Sequence, residues 1–351
     1  MGDMKLPLIT VVMPVYNAAV YLNESIDSIL NQSYSDFIFL IINDCSTDNT
    51  EQIILDYNDS RIKYIKNEKN IGVRYTLNRA IDLTETKYLV RMDADDISLP
   101  NRLQWQIDFM EKHLSIGVCG GLYEIFGNKN HVPKIPMKDE EIKAKLIFIN
   151  QICHPSIMIR MEVLRKNIVN YGVSFEFNDT FGPKISELED FALWHRLKTL
   201  TKFENIDKLI LRYRMEGQNI SYNKETLVLE RKKSFFRFVL NELDINPSDD
   251  NLLYHISFKY FENSVNKSQI AEYRNHLNLI LHQNSKKLIY SQHELIKVVD
   301  EKWEQFFYHL PPKGWNYVMT YFKTSKKIRL KHLIYFLKFS INNLTGAKNR
   351  S

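Results

Sequence analysis

Residues 8–14, LITVVMP, set the reading of the fold: a short, nearly continuous apolar run of strand length. Residues 19–30, AVYLNESIDSIL, follow it with apolar positions at helical spacing. The alternation then repeats. FIFLII (37–42) reads as a second strand, a polar DCSTDNT turn leads into EQIILDY, and IKYI (62–65) reads as a third strand. The helix-like GVRYTLNRAIDL and the strand-like KYLVRMD (87–93) complete the series. Strands and helices alternating over short connections predict a parallel, doubly wound α/β sheet.

Outward from this core the pattern changes twice. Between Pro100 and about Tyr222 it is mixed: RLQWQIDFMEKH reads as a helix started by Pro100, CGGLYEIFG and SIMIR as strands, and DFALWHRLKTL as another helix. After Tyr222 only helical segments remain, separated by NPSDDN and by the break at Pro311 and Pro312. The expected organisation is an α/β domain over 1–222 and a mainly α-helical C-terminal region over 223–351.

Composition agrees with a globular protein. The 351 residues are 44% hydrophobic and 25% charged, which argues against bulk disorder and against collagen-like structure. Three cysteines (Cys45, Cys119, Cys153) without CxxC spacing suggest neither a disulfide scaffold nor a zinc finger and fit a reducing compartment. There is no run of about 18 apolar residues to suggest a bilayer span. MGDMKLPLITVVMP passes straight into the first strand without a leader-like segment, so the expected location is cytoplasmic.

Charge is uneven. From Gln305 to Ser351 there is no acidic residue, and nine Lys and Arg give this tail +9 of a net +5, leaving −4 for the rest. Within the tail, Leu330, Leu333, Ile334, Leu337, Ile341 and Leu344 share one helix face, with Lys327, Lys331 and Lys338 to one side. Such a helix could lie on an anionic inner-leaflet surface through residues 313–351, or pack on the preceding domain with its basic side solvated. No RNA- or DNA-binding motif accompanies the charge, so nucleic acid is not an expected partner.

The chemistry-bearing residues fall where a parallel sheet exposes them, beyond the C-terminal strand ends. Asn43 and Asp44 end the second strand; Asp93, Asp95 and Asp96 follow the fourth. Three carboxylates within four residues repel one another unless a cation offsets them, and a hard divalent ion shared with substrate phosphates would do so. Asp96 could instead cap the next helix, but capping accounts for one aspartate and not three. Neither GxxxxGK[ST] nor GxGxxG is present, so P-loop and dinucleotide chemistry are unsupported.

Residues 14–17 (PVYN), 43–48 (NDCSTD), Asn70 with Gly72, the Asp93 cluster, and Glu189 with Asp190 occur in the order found in glycosyltransferase family 2, which residues 7–222 resemble. The resemblance implies a nucleotide-sugar-binding GT-A fold and an inverting, metal-dependent transfer. It implies Asp44 as acceptor for the uracil N3–H, Pro14 and Tyr16 beside the base, and Arg74 at the base or pyrophosphate. Asp93 and Asp95 would form the DxD pair, near the ribose and on Mn²⁺ or Mg²⁺ respectively. Asp190 would be the general base that deprotonates the acceptor hydroxyl, although acidic residues at a helix start are also ordinary dipole partners.

Two places depart from the pattern or stay open. Where many members carry YRxH, this chain has Arg212-Tyr-Arg214-Met-Glu216, so Glu216 becomes a candidate metal ligand and Arg214 a diphosphate contact. His154, in CHPS, and Glu189 fall on the acceptor side. The expected reaction is hexosyl transfer, glucose or galactose, from a UDP-sugar to a polyprenyl-diphosphate-linked saccharide in bacterial surface polysaccharide synthesis. Two rivals are a non-catalytic nucleotide-sugar-binding scaffold and a nucleotidyltransferase, which would release pyrophosphate instead of UDP. The latter needs a Gly-rich basic loop after the first strand, and PVYNAAVYL is neither.

Overall fold

The computed structural model describes residues 6–128, 130–172, 188–215, 225–258, 266–325 and 329–344. They fall into two compact units, one of residues 1–146 with 150–231, the other of 147–149 with 232–351.

The first unit is built on strands β1 (Ile9–Val15), β2 (Phe37–Asn43), β3 (Ile62–Lys66), β4 (Tyr88–Arg91), β5 (Ile97–Ser98), β6 (Ile116–Gly127), β7 (Met158–Arg160) and β8 (Lys202–Met215). They form one sheet in the order β3-β2-β1-β4-β7-β6-β8-β5. β3, β2, β1 and β4 run parallel; β7 is antiparallel to β4 and β6, β8 is parallel to β6, and β5 is antiparallel to β8. This is the expected mostly parallel α/β sheet. Ile9, Val11, Met13, Phe37, Phe39, Ile41, Tyr88 and Val90 belong to one buried cluster. Burial on both faces explains why these strands read as continuous apolar runs. Pro14 sits where β1 has already lost β4, whose pairing ends at Val12 opposite Arg91. A residue without an N–H is tolerated there.

Helices α1 (Leu22–Leu30), α2 (Thr50–Leu55), α3 (Val73–Leu83), α4 (Arg102–Lys112), α5 (Asp139–Leu146), α6 (Met161–Lys166) and α7 (Glu189–Leu197) belong to this unit. The long β8 is an element that the sequence pattern does not announce. Its burial does not alternate, because its parallel pairing with β6 carries register shifts near Gly121 and Leu122.

α8 (Glu225–Asn241) begins in the first unit and ends in the second. The second unit continues with α9 (Asp249–Ile256), α10 (Ser268–Lys287), α11 (Gln292–Phe307), α12 (Trp315–Thr324) and α13 (Leu330–Leu344). Aromatic side chains fill it: Trp303 stacks on Tyr321 at 4.6 Å and Phe307 on His332 at 4.3 Å between ring centroids. His332 and Phe336 are the inward side of α13. The stripe of Leu330, Leu333, Ile334, Leu337 and Ile341 lies on the other side and is 40–71% exposed. Lys331 and Arg329 pair with Glu304 of α11. Lys327 and the Leu344 side chain lie outside the described residues. Among the described residues no helix is long and apolar enough to cross a membrane.

Candidate active site

The C-terminal ends of β1 and β2 carry two loops that are tied to each other. The Asn17 N–H donates to Ser46 Oγ at 3.0 Å, and Asn17 Oδ1 accepts from the Thr47 N–H at 2.8 Å. The Ala18 N–H donates to Thr50 Oγ1 at 2.8 Å and the Ala19 N–H to Asp48 Oδ2 at 3.1 Å. Asn17 and Cys45 both hold positive φ, 49° and 61°, a conformation that asparagine tolerates better than cysteine. The PVYN and NDCSTD motifs are therefore one connected platform, from which Tyr16 projects half exposed.

Asp44 is buried at the end of β2. Its Oδ1 accepts from Asn67 Nδ2 at 2.7 Å and from the Ile71 N–H at 2.9 Å, and its Oδ2 from the Gly72 N–H at 2.8 Å. Three of the roughly four lone-pair positions of a carboxylate are thus occupied by the loop ahead of α3. Gly72, at φ 87°, is the N-cap of that helix, and Arg74 follows on its first turn. The Arg74 guanidinium lies over the Tyr75 ring at 4.4 Å. A Cβ added to Gly172, at φ +84°, would come within 2.6 Å of Arg74 Cδ, so a side chain there strains the backbone and displaces the Arg74 side chain.

The acidic segment follows β4. Asp93, Asp95 and Asp96 bring carboxylate oxygens within 4.8 Å of one another. Arg91, the buried last residue of β4, forms an ion pair with both oxygens of Asp93. Burial opposes the Arg91 charge, but Asp93, with Tyr171 and Asp96 nearby, more than offsets it and holds the guanidinium firmly protonated. Burial and the neighbouring Asp93 push the Asp95 carboxyl up to about 6. Burial, Asp93 and Asp95 push Asp96 well above the usual carboxylate range. Asp96 does not cap a helix, since the N-cap of α4 is Asn101. Instead, Asp96 Oδ1 accepts from the Arg214 N–H at 2.8 Å, while its buried Oδ2 has no hydrogen-bond partner. That bare oxygen and the Asp95 carboxylate are the donors in the cluster that suit a hard cation, because Arg91 occupies Asp93. Arg214, near the end of β8, donates through Nε to the Asp95 carbonyl at 2.7 Å and pairs with Glu24. Its guanidinium lies over Tyr21 at 4.1 Å and Phe126 at 4.5 Å. Glu216 lies outside the described residues.

Glu189 and Asp190 open α7. Asp190 Oδ2 accepts from Asn150 Nδ2 at 2.7 Å and Oδ1 from the Phe191 N–H at 2.7 Å. Burial raises the Asp190 pKa, and the Phe191 amide, Arg91 and Asn150 restrain the rise. Glu189 is pushed further, to about 8, by burial and then by the Asp190 charge, and its Oε2 is buried without a partner. His154 is buried, bonded through Nε2 to the Tyr171 hydroxyl at 2.7 Å and set edge-on to Trp194 of α7. Burial and then Arg91 hold its pKa well below the usual histidine value, so it is neutral. Tyr171 is in turn fixed to Asn78 of α3 by two backbone bonds of 2.7 and 3.0 Å.

Arg91 is the residue that sequence reasoning missed. Its charge acts on Asp93, Asp95, Asp96, His154, Tyr171, Glu189 and Asp190, and so joins the DxD segment to the α7 carboxylates. The available signal was a cation closing an otherwise apolar strand, where a buried charge requires a partner. Asn150 was missed as well, and an isolated asparagine gives no local signal. The structure brings Asp93, Asp95, Asp96, Arg214, Glu189, Asp190 and His154 together around Arg91. It sets Pro14 near the end of β1, Tyr16 and Asp44 just past the ends of β1 and β2, and Arg74 on the first turn of α3.

Comparison with known proteins gives the same direction. The model of the family described as "Glycosyl transferase family 2" matches residues 10–168. An uncharacterized glycosyltransferase of Methanocaldococcus jannaschii is 34% identical over 227 residues, 62% of this chain and 74% of the relative. The Escherichia coli UDP-Glc:alpha-D-GlcNAc-diphosphoundecaprenol beta-1,3-glucosyltransferase WfgD is 32% identical over 222 residues, 62% of this chain and 81% of that protein. Residues 1–349 of S. aureus TarS, solved in complex with UDP, share the fold at a TM-score of 0.54 and 18% identity, over 85% of this chain and 91% of that one. The chain is a glycosyltransferase and belongs to glycosyl transferase family 2.

Proposed function

We propose that this enzyme transfers a hexose, glucose or galactose, from a UDP-sugar to a polyprenyl-diphosphate-linked saccharide in bacterial surface polysaccharide synthesis, with inversion at the anomeric carbon. The observation that carries the reading is Asp190: a carboxylate of raised pKa, held by Asn150 and the Phe191 amide, beside an Arg91-centred cluster of carboxylates. The similarity to WfgD, whose name specifies UDP-Glc and a lipid-linked GlcNAc, supports the donor and acceptor classes.

In this reading Asp190 takes the proton of the acceptor hydroxyl, and the hydroxyl oxygen bonds to the anomeric carbon from the face opposite the diphosphate. The bond from that carbon to the diphosphate oxygen breaks, and UDP leaves with the electron pair. The raised pKa suits a base, which must take up a proton in the transition state near neutral pH. Asn150 orients the carboxylate. Asp44 would receive the uracil N3–H at its remaining lone-pair position, with Pro14 and Tyr16 beside the base and Arg74 and Arg214 toward the diphosphate. A divalent ion, Mn²⁺ or Mg²⁺, held by Asp95 with Asp96 beside it, would offset the negative charge gathering on the diphosphate. Glu189 and His154 would line the acceptor side.

The exposed apolar stripe of α13, flanked by Lys331 and Lys338, supports peripheral contact with an anionic membrane, where a lipid-linked acceptor resides. UDP release from a panel of UDP-sugars, with Mn²⁺ or with EDTA and with a short-lipid diphosphate N-acetylhexosamine, tests the reaction. Metal-dependent release from one donor, raised by the acceptor, is the expected result. UDP binding without turnover would instead identify a scaffold, and release of pyrophosphate a nucleotidyltransferase.

A further inference from the structure

Asn78 lies one turn beyond Arg74 on α3, and residues at that spacing share a helix face. Against this face lies the backbone of Tyr171 and Gly172, with Tyr171 93 residues further along the chain than Asn78. The Asn78 amide takes both backbone polar groups of Tyr171: its Oδ1 accepts from the N–H at 2.7 Å, and its Nδ2 donates to the carbonyl at 3.0 Å. Gly172 then lies along Arg74. A Cβ at that position would stand 2.6 Å from Arg74 Cδ, 3.1 Å from Nη1 and 3.2 Å from Nε. The guanidinium also lies over the Tyr75 ring and donates to the Tyr75 hydroxyl. Backbone, ring and hydroxyl are all neutral, so they order the Arg74 side chain and leave its charge to act on an anion.

The segment that grips α3 is itself anchored in the site. Tyr171 is 2% exposed, and its hydroxyl is hydrogen-bonded to His154 Nε2 at 2.7 Å. The His154 ring meets Trp194 edge-on at 5.8 Å between centroids, and Trp194 lies one turn after Asp190 on α7. Burial raises the Tyr171 pKa and Arg91 restrains the rise, while Asp190, Glu189 and Asp93 act on the same phenol. Tyr171 is thus held at its side chain by the carboxylate site and at its backbone by Asn78. A backbone pinned at both places is a fixed wall, and the Arg74 side chain conforms to it.

We propose that Asn78 and Gly172 are positioning residues for the donor: Asn78 clamps the Tyr171–Gly172 backbone to α3, and Gly172 confines Arg74 where it meets the nucleotide. This rests on the reading of Arg74 as a contact to the base or diphosphate of the donor. Arginine is among the side chains with most rotamer freedom to lose, and ordering it on binding subtracts from affinity. Here the wall orders it in the folded protein before any ligand arrives. Asn78 acts only through Arg74, so its contribution to donor binding exists only while Arg74 is present.

The test is a double-mutant cycle on the full chain, read as UDP affinity with Mn²⁺ by isothermal titration calorimetry, with Tm measured on each variant. Arg74→Ala is expected to weaken UDP binding about tenfold and Asn78→Ala at least about threefold. The double variant Asn78→Ala/Arg74→Ala should bind within about twofold of Arg74→Ala, because nothing is left to position. Gly172→Ala supplies a second route that keeps the Asn78 amide: its Cβ displaces Arg74, so affinity falls in the wild-type background and holds in the Arg74→Ala background. A merely structural role weakens binding by the same factor in both backgrounds. That additive result, or wild-type affinity in Asn78→Ala and Gly172→Ala, overturns the proposal while leaving Arg74 as a donor contact. UDP that does not bind wild type, or that binds Arg74→Ala equally well, overturns the reading of Arg74 and the proposal with it.

Discussion

Replacing Asp190 by asparagine changes one oxygen for an NH₂ group and nothing in volume. In the wild type, one carboxylate oxygen accepts from the Phe191 N–H and the other from Asn150 Nδ2. An amide can keep the first bond, but its NH₂ then faces the NH₂ of Asn150. Asn150 cannot simply turn over, because its Oδ1 already accepts from the Ile152 N–H at 3.0 Å. Two part-buried NH₂ donors are left facing each other without an acceptor, at about 1–3 kcal/mol of stability for each that water does not reach. That corresponds to a fall of a few degrees in Tm, at roughly 2–4 °C per kcal/mol for a chain of this order of size. The chemical loss is larger: removal of a general base costs about 10²- to 10⁴-fold in rate, or ~3–5 kcal/mol of transition-state stabilisation. The assay measures UDP release with acceptor at saturating donor, UDP affinity by calorimetry, and Tm on the same preparation. The expected result is turnover reduced at least a hundredfold, UDP affinity within threefold of wild type, and a small Tm decrease. Turnover within tenfold of wild type refutes the base assignment; UDP affinity lost in parallel with turnover shows that the residue is structural.

Three further changes probe the rest of the arrangement. In Asn150→Ala, Asp190 loses a donor that favours its charged form, so its pKa rises further. The base works only when deprotonated, so the acidic limb of the kcat/KM profile should move to higher pH with activity recovered above it; an unmoved limb counts against Asn150 as a positioning residue. Arg91→Met leaves Asp93 and its acidic neighbours without their cation, and loss of one partner of a buried pair costs about 3–5 kcal/mol. Thermal unfolding should show a large Tm decrease that Arg91→Lys partly restores, and an unchanged Tm would contradict the central role given to this charge. Ile334→Glu/Leu337→Glu places charges on the exposed side of α13, so Tm should hold while flotation with anionic vesicles falls; retained flotation argues against that face as the membrane contact.

What the sequence determined by itself is the part of the molecule that local periodicity encodes. β1, β2 and β4 are apolar on both faces, and helices separate the successive strands, so their pattern names the parallel sheet without any tertiary information. The motifs at the ends of those strands follow from the same fact, because a parallel sheet delivers all its C-terminal ends to one edge. Tertiary structure alone decided the rest. β8 was not legible because its burial depends on an irregular register with β6, some eighty residues earlier in the chain. Arg91 reads as one more cation until folding encloses it among carboxylates drawn from the loop after β4 and from α7. The apolar stripe of α13 was visible from Leu330 onward, yet a helical period names a face without saying which way it turns. The second unit turns His332 and Phe336 inward and leaves the stripe exposed. The physical reason is common to all three. Periodicity reports the geometry of a single element, whereas the energy of a buried charge or an apolar face depends on which distant groups are packed against it.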